Sequence, residues 1–430
     1  MKERFDELTG DLRRKWLGFM EYSDLRVFLL FLIFAVLSIF TVMTASGSEM
    51  YEFIFRSSAG GSMWLSPIVK HIVIVVFCSL IAVSMSAIPF NVARYVRSVG
   101  TTLYVLGCLG LLILLFANGA TINEASRWVY ILGVSIQPSE LCKLGVVLTL
   151  SMMSCLYLEQ ERSDWRAFFS YYGVGLACIG AVVLYFLYHN VSTGVIYVAA
   201  IAILLFIYKM PMKWYVPLFG GALLLVALGV GWLVSLDTPP SWGRLATAKS
   251  RLEKVIEPKT ELSGAIEDDE RQELYSQIAL ANGGLTGRGF GKSKIKEILP
   301  MAMSDYVYAV VVEETGVFGL LLVPALYVAW FILVLQLARR EEEQFFRFVL
   351  YGIGIFYPMQ ALVNIIVVSG TVTTGQPLPF LSAGGSSALS SSIAFGIMLM
   401  ISRWQTERQM EAERQRNEEM EASEEVLSIE

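Results

Sequence analysis

Apolar runs long enough to cross a lipid bilayer recur along this chain, and no other feature restricts its fold as strongly. A membrane helix needs about 18–20 predominantly apolar residues. About ten such runs are read, at 27–46, 68–88, 102–117, 141–158, 169–188, 194–208, 215–236, 316–337, 346–368 and 387–401. The third and sixth are short. The predicted fold class is an all-α integral membrane protein with about ten spans. Composition agrees, since 55% of residues are hydrophobic and 17% charged, with a mean hydropathy of +0.58. Such a chain is too apolar for an ordinary soluble domain. The first run is no cleaved signal, because the charged segment 1–26 precedes it and the run is itself long enough to span.

Cations fall on alternate connections: Arg13, Arg14, Lys15 and Arg26, then Arg94 and Arg97, Arg162 and Arg166, Lys209 and Lys213, Arg339 and Arg340, Arg403 and Arg408. The connection 370–385 carries no charge. Cation-rich loops stay in the cytoplasm, so both termini are expected there. Connections 118–136, 237–314 and 370–385 then face outward. Three regions follow: a leader 1–26, a ten-helix domain 27–402 containing the large outer loop 237–314, and a charged tail 403–430. In the leader, Leu8, Leu12, Trp16 and Phe19 recur at helical spacing among charges, which fits either a helix lying on the inner membrane surface or a plain charged leader. The five cysteines fall in or beside apolar spans and suggest no disulfide framework.

Ionisable groups at membrane depth usually face a cavity or a partner. Glu140 and Lys143 follow Gln137, Pro138 and Ser139 at the start of a span. Three residues apart on one helical face, they can pair. Such a pair either pins neighbouring helices or lines a pocket open to the outside. Upstream, Arg127 sits beside Trp128; an outward arginine suits an anionic headgroup. Segment 370–387 holds two prolines and four glycines, which exclude a regular helix. Its free backbone groups must line a cavity or be buried in protein, and can hold an anion.

Within the large loop, 283–294 nearly spells a phosphate-binding P-loop, but Thr286 replaces the first required glycine and no clear strand precedes it. Nucleotide binding is therefore rejected. The basic residues Arg288, Lys292, Lys294 and Lys296 either attract lipid phosphates or form a solvated charge run. Asp305, between Met303, Ser304 and Tyr306, lies just before the next span. Desolvation would raise its pKa and suit it to act as a base; the structural alternative is a helix cap.

Taken in order, segments 123–128 with 137–143, 276–293 with 299–316, and Asn364 with 375–387 resemble the SEDS family of cell-wall polymerases (shape, elongation, division and sporulation proteins), which includes FtsW and RodA. The Gln-Pro-Ser-Glu and Pro-Leu-Pro-Phe-Leu-Ser-x-Gly-Gly-Ser-Ser strings are its most specific features. Variants such as Asn190-Val-Ser-Thr and Thr-Gly-Gln-Pro-Leu-Pro resemble the FtsW branch of Bacteroidota-type bacteria more than RodA.

The resemblance implies a peptidoglycan glycosyltransferase that polymerises lipid II on the outer face of the bacterial cytoplasmic (inner) membrane. It implies Asp305 as catalytic base. Expected substrate-binding positions are Arg127, Trp128, Gln137, Ser139, Glu140, Lys143, Arg288, Lys292, Asn364, Ser382, Gly384, Gly385 and Ser386. The chain departs from the family pattern at Met301, Met303, Ser304 and Ala383, and the two methionines put a secondary acid or metal contact in doubt. No cofactor is evident and no metal-ligand spacing appears, although a divalent cation is compatible. Implied partners are a class B penicillin-binding protein, other divisome or elongasome membrane proteins, and membrane lipids; no nucleic acid is expected. Rival readings are a lipid II flippase and a non-catalytic scaffold of the wall-synthesis complex.

Overall fold

A computed structural model describes residues 24–47, 66–88, 102, 129–131, 134–159, 164–189, 191–236, 249, 268–299, 302–369 and 376–429. Its helices are α1 (Leu25–Ala45), α2 (Pro67–Ser86), α3 (Pro138–Leu158), α4 (Trp165–Phe168), α5 (Val174–His189), α6 (Val191–Ile207), α7 (Met212–Val234), α8 (Asp268–Gly283), α9 (Val307–Thr315), α10 (Val317–Arg340), α11 (Gln344–Val368) and α12 (Gly385–Ile429). A π-helical turn, Phe169–Gly173, joins α4 to α5 into one span. Among the described residues, 8 helical segments are long and apolar enough to cross a membrane, and α6 is a shorter apolar helix. The predicted span 102–117 and the leader 1–23 lie outside the described residues. One antiparallel hairpin, β1 (Val129–Ile131) with β2 (Val134–Ile136), precedes α3.

Helix starts follow their local chemistry. Asp24 caps α1 by accepting from the Arg26 amide at 3.0 Å, and Ser66 caps α2 by accepting from the Val69 amide. Pro67 and Pro138 occupy first turns, where a missing N–H costs nothing. α12 runs unbroken past residue 402, supported by the i,i+4 pairs Arg403–Glu407 and Arg414–Glu418.

Helix α11 is the hub, touching α3, α6, α8, α9, α10 and α12, while α12 lies along α2. Aromatic rings fill the centre: Trp330 lies 4.2 Å from Phe395 and 5.5 Å from Phe34, centroid to centroid. In contrast α7 exposes Val216, Leu223 and Val226, as a helix bathed in lipid would.

The two ends of the bundle differ in charge. At one end Arg408 reaches Glu341 at 2.8 Å, Arg403 donates to the Ser86 carbonyl that closes α2, and Arg26 pairs with Asp24. At the other, α1 terminates, and α3, α10 and α12 begin. There the loop before α9 docks by backbone: the Gly287 and Gly316 main chains meet at φ +75° and +64°, and a Cβ on Gly287 would lie 2.2 Å from the Glu314 carbonyl. Only glycine fits such a contact.

Candidate active site

The end where α3 and α12 begin is organised around the non-helical segment 376–384, whose prolines and glycines keep it out of a helix. Its backbone is held from several sides. The Thr41 hydroxyl donates to the Leu381 carbonyl at 2.7 Å, and the Tyr327 hydroxyl donates to that of Pro379 at 2.6 Å. The Gln376 amide donates to the Thr193 hydroxyl. Phe380 adopts φ +67°, a left-handed conformation that costs a bulky residue about 1–3 kcal/mol. Its buried ring, against Phe31 and Phe395, holds it there.

Asp305 is tied to this segment by its backbone. The Ala383 N–H donates to the Met303 carbonyl at 2.8 Å. The Asn364 amide group donates to the carbonyls of both Asp305 and Gln376, each at 2.7 Å. Asn364 is fully buried, and flipping its amide would set an oxygen against two carbonyl oxygens, so its orientation is fixed. The Asp305 residue itself is half-buried. The capping alternative is not realised at the N-cap position of α9, which is Tyr306 and makes no side-chain capping bond. Nearby, burial pushes the Tyr308 phenol up to about 12, and it donates to the Leu320 carbonyl at 2.8 Å.

One turn away on α11, about 6 Å along the axis, Gln360 performs the matching task for Glu140 and Lys143. The Lys143 ammonium lies 2.7 Å from Glu140 and also donates to the Gln360 carbonyl oxygen. The Gln360 amide donates to the Pro377 carbonyl at 2.9 Å and to Glu140 at 3.3 Å. The Tyr357 ring lies 4.7 Å from the ammonium. Both charged side chains are almost fully buried. Thus Asp305 and the ion pair share one scaffold: α11 above, and the backbone of 376–377 between them.

The remaining expected positions divide. The Gln137 backbone N–H donates to the Ser386 hydroxyl at 2.9 Å, joining the starts of α3 and α12, and the Ser139 carbonyl accepts from the Tyr197 hydroxyl. Ser382 closes a local turn onto Leu378. Gly384 and Gly385 form the approach to α12, which begins at Gly385 itself, so the predicted non-helical stretch ends there rather than at 387. Arg127 and Trp128 lie outside the described residues. In the basic loop, Arg288 pairs with Glu313 at 3.6 Å and Lys296 with Glu314 at 3.6 Å. Lys296 also donates to the Thr44 carbonyl at the end of α1, where a cation suits the helix dipole. Lys292 and Lys294 are exposed.

The sequence model of the FtsW, RodA and SpoVE family, described as a cell cycle protein, matches residues 24–407. The chain belongs to this family. A probable peptidoglycan glycosyltransferase FtsW of Enterococcus hirae is 29% identical over 367 residues, covering 84% of this chain and 89% of the relative. One of Synechocystis is 31% identical over 294 residues, covering 68% and 69%. Among solved structures, a chain from a study of how a peptidoglycan synthase complex coordinates polymerization and crosslinking matches with a TM-score of 0.65 at 20% identity. That match covers 89% of this chain and 98% of the other. The rod shape determining protein RodA of Thermus thermophilus matches with a TM-score of 0.57 at 19% identity, covering 89% and 97%. These structural likenesses show the fold.

Sequence reasoning missed Gln360, Gln376, Thr193 and Tyr357. A signal existed for the first: Gln360 and Asn364 are polar residues at i,i+4 inside an apolar run, which places both on one helical face. Asn364→Asp is expected to set a carboxylate against two carbonyl oxygens and release the Asp305 strand. Amide hydrogen exchange over 302–310 should rise, and any activity of the site should fall about 10²-fold from misplacement. Unchanged exchange would show that the amide does not hold this strand.

Proposed function

We propose that the protein polymerises lipid II into β-1,4-linked glycan strands, with Asp305 as general base. The observation that carries this reading is the double clamp of Asn364, which holds the Asp305 backbone, one helical turn along α11 from Gln360, which holds the Glu140–Lys143 pair. In the reaction, the incoming sugar's 4-hydroxyl attacks the anomeric carbon of the lipid-linked sugar. The bond from that carbon to the pyrophosphate oxygen breaks, undecaprenyl pyrophosphate leaves with the electron pair, and the configuration inverts. The hydroxyl proton passes to the Asp305 carboxylate. Cations steady the departing pyrophosphate; Arg127 and the exposed Lys292 are the candidates, while Lys143 and Arg288 act through their carboxylate partners.

The names of the relatives support the glycosyltransferase reading, and the family's description as a cell cycle protein supports a place in septal wall synthesis. The arginine-rich end of the bundle (Arg26, Arg340, Arg403, Arg408) supports cytoplasmic termini and an outward Asp305 in the cytoplasmic membrane. The peptidoglycan synthase complex among the structural neighbours supports a crosslinking partner, which we assign as a class B penicillin-binding protein. The test is polymer formation from lipid II in detergent, with and without that partner. Without a sealed membrane, transport of lipid II leaves no product, so glycan strands support polymerisation. Their absence with the partner present contradicts it.

A further inference from the structure

The loop 283–294 carries two apolar side chains that the site does not use. Leu285 is 82% exposed and Phe290 is 61% exposed. Both stand on a rigid stem: the Arg288 and Gly289 amides each donate at 2.9 Å to the Glu313 and Glu314 carbonyls of α9.

Where these side chains sit follows from their neighbours. The Phe290 ring packs edge-on against Phe40, centroids 4.9 Å apart. Phe40 belongs to the outward stripe of α1 that runs through Leu29, Leu32, Val36 and Met43, all exposed. In a membrane protein that stripe faces acyl chains. Helix α1 has 21 residues, a length of about 30 Å that matches the hydrocarbon core. Phe40 lies five residues before its end, so Phe290 reaches about 7 Å below the edge of that core. Leu285 stands at the neighbouring span: its carbonyl accepts from the Val317 amide at 3.3 Å, next to Phe318 at 67% exposure. Exposed Lys292 and Lys294 follow Phe290. In the sequence they lie between it and Lys296, whose ammonium reaches the Thr44 carbonyl beside the end of α1, where the acyl chains give way to headgroups. Glu297 is the one exposed acid on the adjoining turn.

We propose that the glycine-rich loop is a membrane wedge, with Leu285 and Phe290 inserted among the acyl chains of the adjoining leaflet and Lys294 on the phosphates of anionic phospholipid. The apolar surface is continuous with the lipid-facing stripes of α1 and α10, and the cations lie where headgroups begin. Because the stem is hydrogen-bonded to α9, insertion fixes the height of the strand carrying Asp305 above the lipid. Its bearing on polymerisation rests on the functional reading above; the insertion itself does not.

The test uses the full-length protein in vesicles of phosphatidylethanolamine and phosphatidylglycerol, with a photo-crosslinking diazirine residue at 285, 290, 36 or 271. Lipid adducts at 285 and 290 are expected at yields like those at lipid-facing position 36 and at least several-fold above those at Arg271, which is exposed on α8. Lys294→Glu should lower the yield at 290 several-fold, and Lys294→Arg should keep it. Yields at 285 and 290 no higher than at 271 would overturn insertion. So would replacement of lipid adducts by protein adducts when the class B partner is added, which would make the loop a protein-docking surface. A yield at 290 indifferent to Lys294→Glu would overturn the phosphate contact. None of these readouts requires activity, so a catalytic role for Asp305 can fail while the wedge stands, and the reverse.

Discussion

Lys143→Met is expected to destabilise the protein by about 3–5 kcal/mol, because it strands the Glu140 carboxylate in the bundle interior without its cation. The size follows from burial. Glu140 is 2% exposed, and its other side-chain bond is the 3.3 Å contact from Gln360, too long to replace an ammonium at 2.7 Å. Gln360 also loses the donor at its carbonyl oxygen. Adding Glu140→Gln in the same chain removes the unpaired charge and should return most of the stability, as neutral replacements of buried pairs commonly do. Thermal unfolding in detergent reads both variants. The double variant is also informative about function. It should fold yet remain about 10²-fold slow, since Gln360 loses the Lys143 donor that fixes the orientation of its amide on the Pro377 carbonyl. A single variant as stable as the parent would show that the pair is not a buried, mutually dependent unit.

Much of this arrangement was legible in the sequence because it depends on local chemistry. The apolar runs anticipated the 8 spans seen among the described residues, since a long run has few other environments. Pro138 marked the start of α3, and the i,i+3 spacing of Glu140 and Lys143 anticipated their pair. Prolines and glycines in 376–384 anticipated irregular backbone buried in protein. What was not legible depends on contacts between distant segments. Arg288 and Lys296 read as free cations until Glu313 and Glu314 are folded beside them. Nothing in the local sequence indicates that Thr193 receives Gln376, or that Phe380 takes a left-handed backbone to fill a gap among Phe31, Phe34 and Phe395. The tail was divided from the last span by its charge, yet helix propensity carried α12 through that boundary.

Asp305→Asn is the second large effect expected. The amide keeps the size and shape of the carboxyl, and the clamps on this strand act on the backbone carbonyls of Met303 and Asp305, which the substitution leaves intact. The variant should therefore fold, insert and bind lipid II as the parent does. What it loses is the capacity to accept a proton from the attacking hydroxyl. Loss of a positioned base lowers rates by about 10²–10⁴-fold. A polar group needed only for folding would instead reduce stability and binding together.

The most direct measurement is the rate of glycan elongation by purified Asp305→Asn protein with its transpeptidase partner, under saturating lipid II whose binding is measured in parallel. Unaltered binding with elongation slowed at least 10²-fold is the predicted result. Elongation at the parental rate would contradict the assignment of residue 305 as the base.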